Sequence, residues 1–339
     1  MPSTIEHATA YRAGVKVAWR QAWHDALYGE AGFYRRGEGP AGHFTTSTHG
    51  ALGVVFAGAI AHLADREGAT HVVDIGCGRG ELLTHLHEAR PDLALTGVDV
   101  VSRPNGIPDA VAWLRSPGGG SLPPGLDGLT DVLVVAHEWL DVVPCTVAEV
   151  VAPGQLAVVV ADPTTGEEEP GEVPTDQEIA WCAQHWPVDD LPVGARVEVG
   201  STRDAAWSDL VSRVRRGAVL AVDYGHLRAD RPTHGTLAAY RAGAFVAPVP
   251  DGSCDLTAHV AVDSLDHDEL RTQRDALRAL GVKAALPEHE SARTDPAGYV
   301  AALARSSAAA VLTAPNGLGA FHWVLRRCDP AGTRAGTAD

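Results

Sequence analysis

The sequence predicts an α/β fold organised around a doubly wound, mostly parallel sheet, Rossmann-like in its rhythm. From His71 onward, short β-branched runs alternate with amphipathic helical stretches, the order that parallel strands with crossover helices require. The run DVLVVA at Asp131–Ala136 is apolar from its second residue, as a strand covered on both faces should be. The first such strand also runs directly into Gly76, Gly78 and Gly80 in the segment VVDIGCGRGE.

The first section reads as helix, loop, helix. ATAYRAGVKVAWRQAWHDALYG carries apolar and aromatic residues at helical spacing. GEAGFYRRGEGPAGHFTTST breaks that spacing with glycine, proline and hydroxyl residues. ALGVVFAGAIAHLADREG resumes a helix that Gly68 ends. HVVDI is the first core strand, ELLTHLHEAR a helix, LALTGVDV the second strand, AVAWL the third, DVLVVA the fourth and AVLAVDY the fifth. Between the fourth and fifth lies an insert, Cys145–Val199. There TVAEVVAPGQLAVVVAD reads as a hairpin about Pro153-Gly154, and DPTTGEEEPGEVPTD as a solvated acidic loop. Past Gly225 the chain is irregular to Asp255. A helix capped by Asp263 and ended by Gly281 follows, then a helix near Pro296–Thr313 and a closing strand, AFHWVLRRC.

The expected division is therefore an N-terminal helical extension over 1–69, a core from 70–144 and 200–328, an inserted hairpin and helix section over 145–199, and a disordered tail over 329–339.

Composition narrows the function. The 339 residues carry a formal net charge of −16, which argues against a general nucleic-acid or anionic-membrane binder and suits a basic partner. Cys77, Cys145, Cys182, Cys254 and Cys328 are odd in number and form no CxxC, so neither a disulfide framework nor a metal site is expected. MPSTIEHATAYRAG lacks a signal pattern, and no apolar run approaches the ~20 residues that span a bilayer. The expected location is the cytoplasm.

Glycines after a buried strand let the backbone turn tightly and come close to a ligand, and the next helix offers free N–H groups. Alone they suit any nucleotide turn, one for NAD included. Asp74 stands two residues before the first glycine. Asp99 ends the second strand, where an acid receives ribose hydroxyls. The spacing is GxGxG rather than GxGxxG, which favours a nucleoside ligand with a small charged group over a pyrophosphate. This region resembles motif I of the class I S-adenosylmethionine-dependent methyltransferases. The resemblance implies a class I methyltransferase fold, with Asp74, Gly76, Gly78 and Gly80 as the turn around the cofactor's amino-acid part and Asp99 as the ribose ligand.

The fourth strand opens abruptly into polar residues, VVAHEWLDVVP. Two carboxylates and an imidazole just past a buried strand need water, partners or a ligand. Methyl transfer from a sulfonium is an in-line displacement, so the protein must align a nucleophile and strip water from it. If that nucleophile is a guanidinium, Glu138 and Asp141 can hold its fork by paired hydrogen bonds. His137 can accept a proton if its pKa stays near neutral.

VVAHEWLDVVPC is similar to the NE-x-x-DA-x-P segment of the MidA family, the mitochondrial complex I assembly factors of arginine methyltransferase type and their bacterial relatives. LYGEAGFYRRGEGPAGHFTTS resembles that family's GYY…GDF-x-T segment. The VDYG strand, THGTLAAYRAG and DGSCDLTAHVAVDSL match further segments in order, over residues 27–325. The sequence departs from the pattern at His43, at His137, at Ala261-Val262 and at Gly243. In the resemblance Phe44, Thr45 and Thr46 cover the cofactor. Tyr224, at the end of the fifth strand, is placed to stack on a flat cation. Asp255, Thr257 and His259 are expected to form a network that fixes the lid, and Asp255 and His259 to meet the substrate.

The expected function is methylation of an arginine side chain in a protein or peptide, with S-adenosyl-L-methionine as cofactor and S-adenosyl-L-homocysteine as product. Methylation of a small molecule at N or O, with His137 as base, is the alternative. A third reading is an assembly factor that binds cofactor and partner without turnover. The expected partners are a protein, peptide or small-molecule acceptor, with no nucleic acid and no membrane. A homodimer is left open.

Overall fold

The computed structural model describes residues 14–36 and 47–329. Its centre is a seven-stranded sheet. In chain order the strands are β1 (His71–Ile75), β2 (Ala94–Asp99), β3 (Val111–Arg115), β4 (Leu129–His137), β5 (Val214–Asp223), β6 (Glu269–Thr272) and β7 (His322–Cys328). They lie side by side as β6-β7-β5-β4-β1-β2-β3. All pairs from β1 to β5 are parallel, and β7 alone runs against both its neighbours. The strand order reverses between β1 and β4, so a crevice opens there at the carboxyl ends of the strands.

Both faces of the sheet are covered. Val72, Leu133, Val135 and Leu220 point to one face and pack with Phe56, Ile60, Leu82, Leu86 and Leu277 of the flanking helices. Val73, Ile75, Val134 and Val219 point to the other and meet Trp207 and Leu210. Successive strand residues alternate between faces, so a strand covered twice must be apolar at every position. Val132, Leu133, Val134, Val135 and Ala136 are all 0% exposed, which accounts for the run DVLVVA. Each of the valine and leucine side chains contributes roughly 1.5–3 kcal/mol on burial.

A second sheet, five-stranded and antiparallel, is built from the insert. Thr146–Ala152 and Gln155–Ala161 form the expected hairpin, with Gly154 at φ +68° in its turn. Two expectations fail here. The run GEEEPGE is not wholly a solvated loop: Glu168–Pro170 is a strand paired with Gln155–Ala161, because Glu168 carries Arg196 and the Trp19 indole on its carboxylate. The N-terminal helix is also shorter than its spacing predicts. Val17–Ala18 pairs with Ala161 and Val160, and helix begins only at Trp19, running to Tyr28. The first section is thus partly strand and belongs to the insert's sheet.

A third expectation fails near the C-terminus. Asp263 caps no long helix, since its carboxylate is taken by Arg231 and the Arg228 N–H. Residues Glu269–Thr272 instead form β6 against β7. The helix starts at Gln273, capped by Thr272 Oγ1 accepting from the Asp275 N–H at 3.2 Å. Gly281, at φ +86°, follows the end of that helix as expected. Residues 37–46, among them His43, Phe44, Thr45 and Thr46, and residues 330–339 lie outside the described residues. Among the described residues, no helix is long and apolar enough to cross a membrane.

Candidate functional site

The crevice at the carboxyl ends of β1, β2, β4 and β5 is a cavity of about 970 Å³. One end is built by the glycine turn. Gly76, Gly78 and Gly80 all have φ between +58° and +79°, a region where a Cβ is strained, so the turn requires glycine. The space in front of Gly78 is open, with only Glu81 Oε2 within 4 Å of where a Cβ would stand. Gly76 lies against Trp139, whose indole N–H donates to Gly119 O at 3.3 Å across the cavity floor.

Asp99 closes the turn from β2. Its Oδ2 accepts the Gly78 N–H at 2.8 Å and its Oδ1 the Val101 N–H at 3.1 Å. Burial nonetheless raises its pKa to about 6, against those bonds. Asp74, 4% exposed, is raised well above the carboxylate range by burial and then by Asp99. An open glycine cradle with a carboxylate one strand away suits a nucleoside bearing an amino-acid part.

The other end of the cavity is acidic and aromatic. Glu138, Asp141 and Asp255 line it with Tyr34, Tyr224, Tyr240, His259 and Phe321. Glu138 follows β4 with φ +52°, a strained value for a residue with a side chain, and its N–H is held by Val222 O at 2.9 Å. Its Oε1 is sealed from solvent without a partner. Burial, then Asp141 and Asp255, push its pKa up to about 8. Asp141 Oδ2 accepts the Thr257 hydroxyl at 2.6 Å and also the Tyr224 hydroxyl, while Oδ1 is buried without a partner. Asp255 Oδ1 accepts the Tyr34 hydroxyl at 2.7 Å, and burial raises that carboxyl to about 7. Behind them Asp223, 1% exposed, fixes the loop by accepting the Leu140 N–H at 3.0 Å. Burial and the Asp141 and Glu138 charges raise its pKa well above the usual range. Among the described residues, none of these four carboxylates bonds an arginine or lysine side chain.

Residues 88–281 match the model of a family described as "Putative S-adenosyl-L-methionine-dependent methyltransferase". The chain belongs to this family. It is an S-adenosyl-L-methionine-dependent methyltransferase, as its resemblance to the MidA type implied. Two solved structures from Burkholderia thailandensis share its fold. One is bound to S-adenosyl-homocysteine, is 21% identical, covers 92% of this chain and 88% of its own, and superposes with a TM-score of 0.70. The other, a native structure of the same superfamily, is 21% identical over 93% of this chain and 88% of its own, with a TM-score of 0.69. No curated protein matches the chain.

The methyltransferase brings together most of the residues that its sequence singles out. Asp74, Gly76, Gly78 and Asp99 line the glycine-turn end of the cavity, while Gly80 sits just behind the cavity wall, its Cβ position blocked by Ile107. His137, Glu138, Asp141, Tyr224, Asp255 and His259 line the acidic end of the cavity. Three expectations about chemistry change. His137 does not stay near neutral: burial lowers its pKa to about 3, so it is an uncharged ring, and its 3.5 Å approach to Glu138 is no ion pair. Tyr224 is not a free stacking face, because its hydroxyl is committed to Asp141 and Thr257 and its ring meets His259 and Phe321 edge-on. Asp255, Thr257 and His259 share one side of an extended segment and all face the cavity. Each bonds outward, to Tyr34, to Asp141 and to the Thr236 hydroxyl, rather than to one another.

Several lining residues escaped the sequence reading. Trp139 was legible as an aromatic set between two acids in HEWLD. Phe321 and Tyr34 were not: they reach the cavity from β7's approach and from the N-terminal turn, and no local pattern points to either. Gly243, which stands near the place of a family histidine, makes a hairpin turn with Ala242, both at positive φ.

Proposed function

We propose that this methyltransferase is a class I, Rossmann-like enzyme that methylates a guanidinium nitrogen of an arginine side chain in a protein or peptide. The observation that carries the reading is a set of carboxylates, the buried Asp141, Asp223 and Asp255 with the partly buried Glu138, gathered without an arginine or lysine side chain bonded to any of them among the described residues. Such a cluster is costly unless a cation enters it. The aromatic lining of Phe321 and Tyr240 suits a flat, weakly hydrated cation.

The bound cofactor supplies an electrophilic methyl on a positively charged sulfur. The chain supplies the rest. Asp141 Oδ1 and Glu138 hold the guanidinium fork, with Asp141 fixed from behind by Thr257 and Tyr224. A guanidinium has no free lone pair until it loses a proton, and Glu138 is the group that takes it. The cation's own charge lowers the Glu138 pKa toward the ionised form on binding. With the cofactor bound, the N–H proton would pass to Glu138 while the nitrogen takes the methyl from the sulfur, so that the methylated guanidinium would keep its single charge. His137, uncharged, packs beside the reacting groups and adds no second cation.

Incubation with S-adenosylmethionine labelled in the methyl group, against cell lysate and against arginine- and lysine-containing peptides, tests the reading. Label in acid-stable methylarginine supports it. Label confined to small molecules would sink the arginine claim while leaving methyl transfer intact.

A further inference from the structure

The two ends of the cavity are joined by one run of side-chain contacts that starts outside the sheet. The loop 116–119 adjoins the ribose-binding end, with the Ser116 N–H donating to Asp99 O at 2.7 Å. Tyr28 lies so close on that loop that a Cβ at Gly118 would stand 2.6 Å from its ring. Arg35 ties the same loop to the same tyrosine, donating from Nη2 to Pro117 O at 3.2 Å and from Nε to Tyr28 O at 2.7 Å. Tyr34 stands between them. Its ring packs on Tyr28 with centroids 5.6 Å apart, and its hydroxyl crosses to Asp255 Oδ1 at 2.7 Å. Two residues on from Asp255, Thr257 holds Asp141 Oδ2 at 2.6 Å.

We infer that Tyr34 is a positioning residue that couples filling of the nucleoside end to placement of the Asp255 carboxylate at the acceptor end. A ligand pressed against the loop 116–119 fixes Tyr28 and Arg35, which fixes the turn carrying Tyr34. The hydroxyl then holds Asp255 in one rotamer. Without that donor the buried Asp255 carboxyl has less reason to stay ionised or in place, since the Tyr34 bond works against the effect of burial. Cofactor binding thereby completes the acceptor site, and the two sites share a coupling free energy.

The inference takes from the proposed function only that the acceptor meets Asp255. Its test uses S-adenosylhomocysteine alone, so it does not depend on the acceptor being an arginine. Amide exchange is followed at residues 118–119 and 255–257, with and without S-adenosylhomocysteine, alongside its affinity by calorimetry. In the wild type the ligand is expected to slow exchange at both segments, by at least about fivefold at 255–257. In Tyr34→Phe it should slow only 118–119, with the ligand's affinity changed less than about threefold, because the lost bond touches no ligand atom. A merely structural role would instead weaken ligand binding and loosen both segments together, which overturns the inference. Protection of 255–257 that persists in Tyr34→Phe, or that never appears in the wild type, also overturns it. If Tyr34→Phe does not fold, Asp255→Ala cuts the same bond from its other end and must give the same selective loss.

Discussion

Asp141 and Thr257 are joined across the cavity wall, hydroxyl to carboxylate at 2.6 Å, and the bond leaves Asp141 with one oxygen occupied and the other buried and bare. An acceptor that fills this site must therefore donate to Oδ1. Asp141→Asn keeps the shape but offers an amide where a charged acceptor of hydrogen bonds is needed. It is expected to lower kcat/KM by about ten- to a hundredfold, the worth of a charged hydrogen bond. S-adenosylmethionine affinity should hold. Steady-state kinetics with calorimetry checks both, and an unchanged kcat/KM would remove Asp141 from the clamp.

Glu138 must be ionised to take a proton, and in the empty enzyme burial raises its pKa to about 8. Asp255 follows at about 7. A guanidinium does not titrate in this range, so a limb in the pH profile of kcat/KM belongs to the enzyme. We expect kcat/KM to rise with pH up to about 8, and Glu138→Gln to abolish most of the activity along with that limb. A flat profile from about two units below the Glu138 value to about one unit above it would exclude Glu138 as the proton acceptor.

The same shift has a consequence for stability. Glu138, with its pKa raised from 4.5 to about 8, keeps a proton in the folded protein where the unfolded chain has lost it. The folded state therefore binds more protons between those values, and stability falls as pH rises through them. His137 works oppositely. Its folded pKa of about 3 lies below 6.5, so its contribution is gained as pH rises from about 3 to 6.5. Above about 6.5 only the acids remain, and the melting temperature of the ligand-free enzyme is expected to decline toward pH 8. Glu138→Gln should decline less steeply. Equal slopes would mean that Glu138 is ionised in the empty site.

Legibility in the sequence followed the range of the interactions. The glycine turn and DVLVVA are local: positive φ demands glycine at 76, 78 and 80, and burial on two faces demands an unbroken apolar strand. HEWLD was legible as a site because polar residues at the end of a buried strand need a reason. What those residues do was not legible, since the His137 pKa depends on Phe56 and Phe321 packed around it. Glu168 failed for the same reason. Its neighbours in sequence are acids and prolines, while its partners Trp19 and Arg196 lie 149 and 28 residues away.

Asp99 carries the cofactor claim. Its carboxylate holds the Gly78 and Val101 N–H groups and faces the nucleoside end of the cavity. Asp99→Ala removes the proposed ribose partner and leaves two backbone donors unpaired. Affinity for S-adenosylhomocysteine is expected to fall by about ten- to a hundredfold, with loss of the thermal shift that the ligand gives the wild type. Equal affinity in the variant would place the ribose elsewhere.

Glu168 offers the sharpest test of the insert. It joins Arg196 of the strand Arg196–Val199 to Trp19 of the N-terminal helix, and both charged side chains are about three-quarters buried. Glu168→Gln keeps the volume and one acceptor but leaves Arg196 with Glu149 alone. A largely buried arginine that loses a charged partner costs about 1–3 kcal/mol. The melting temperature should fall accordingly, while S-adenosylhomocysteine affinity stays at the wild-type value, because no atom of this network lines the cavity. The alternative is that GEEEPGE is a solvated run whose charges serve only solubility. Surface substitutions of that kind stay within about 0.5 kcal/mol, so an unchanged melting temperature would return Glu168 to that role.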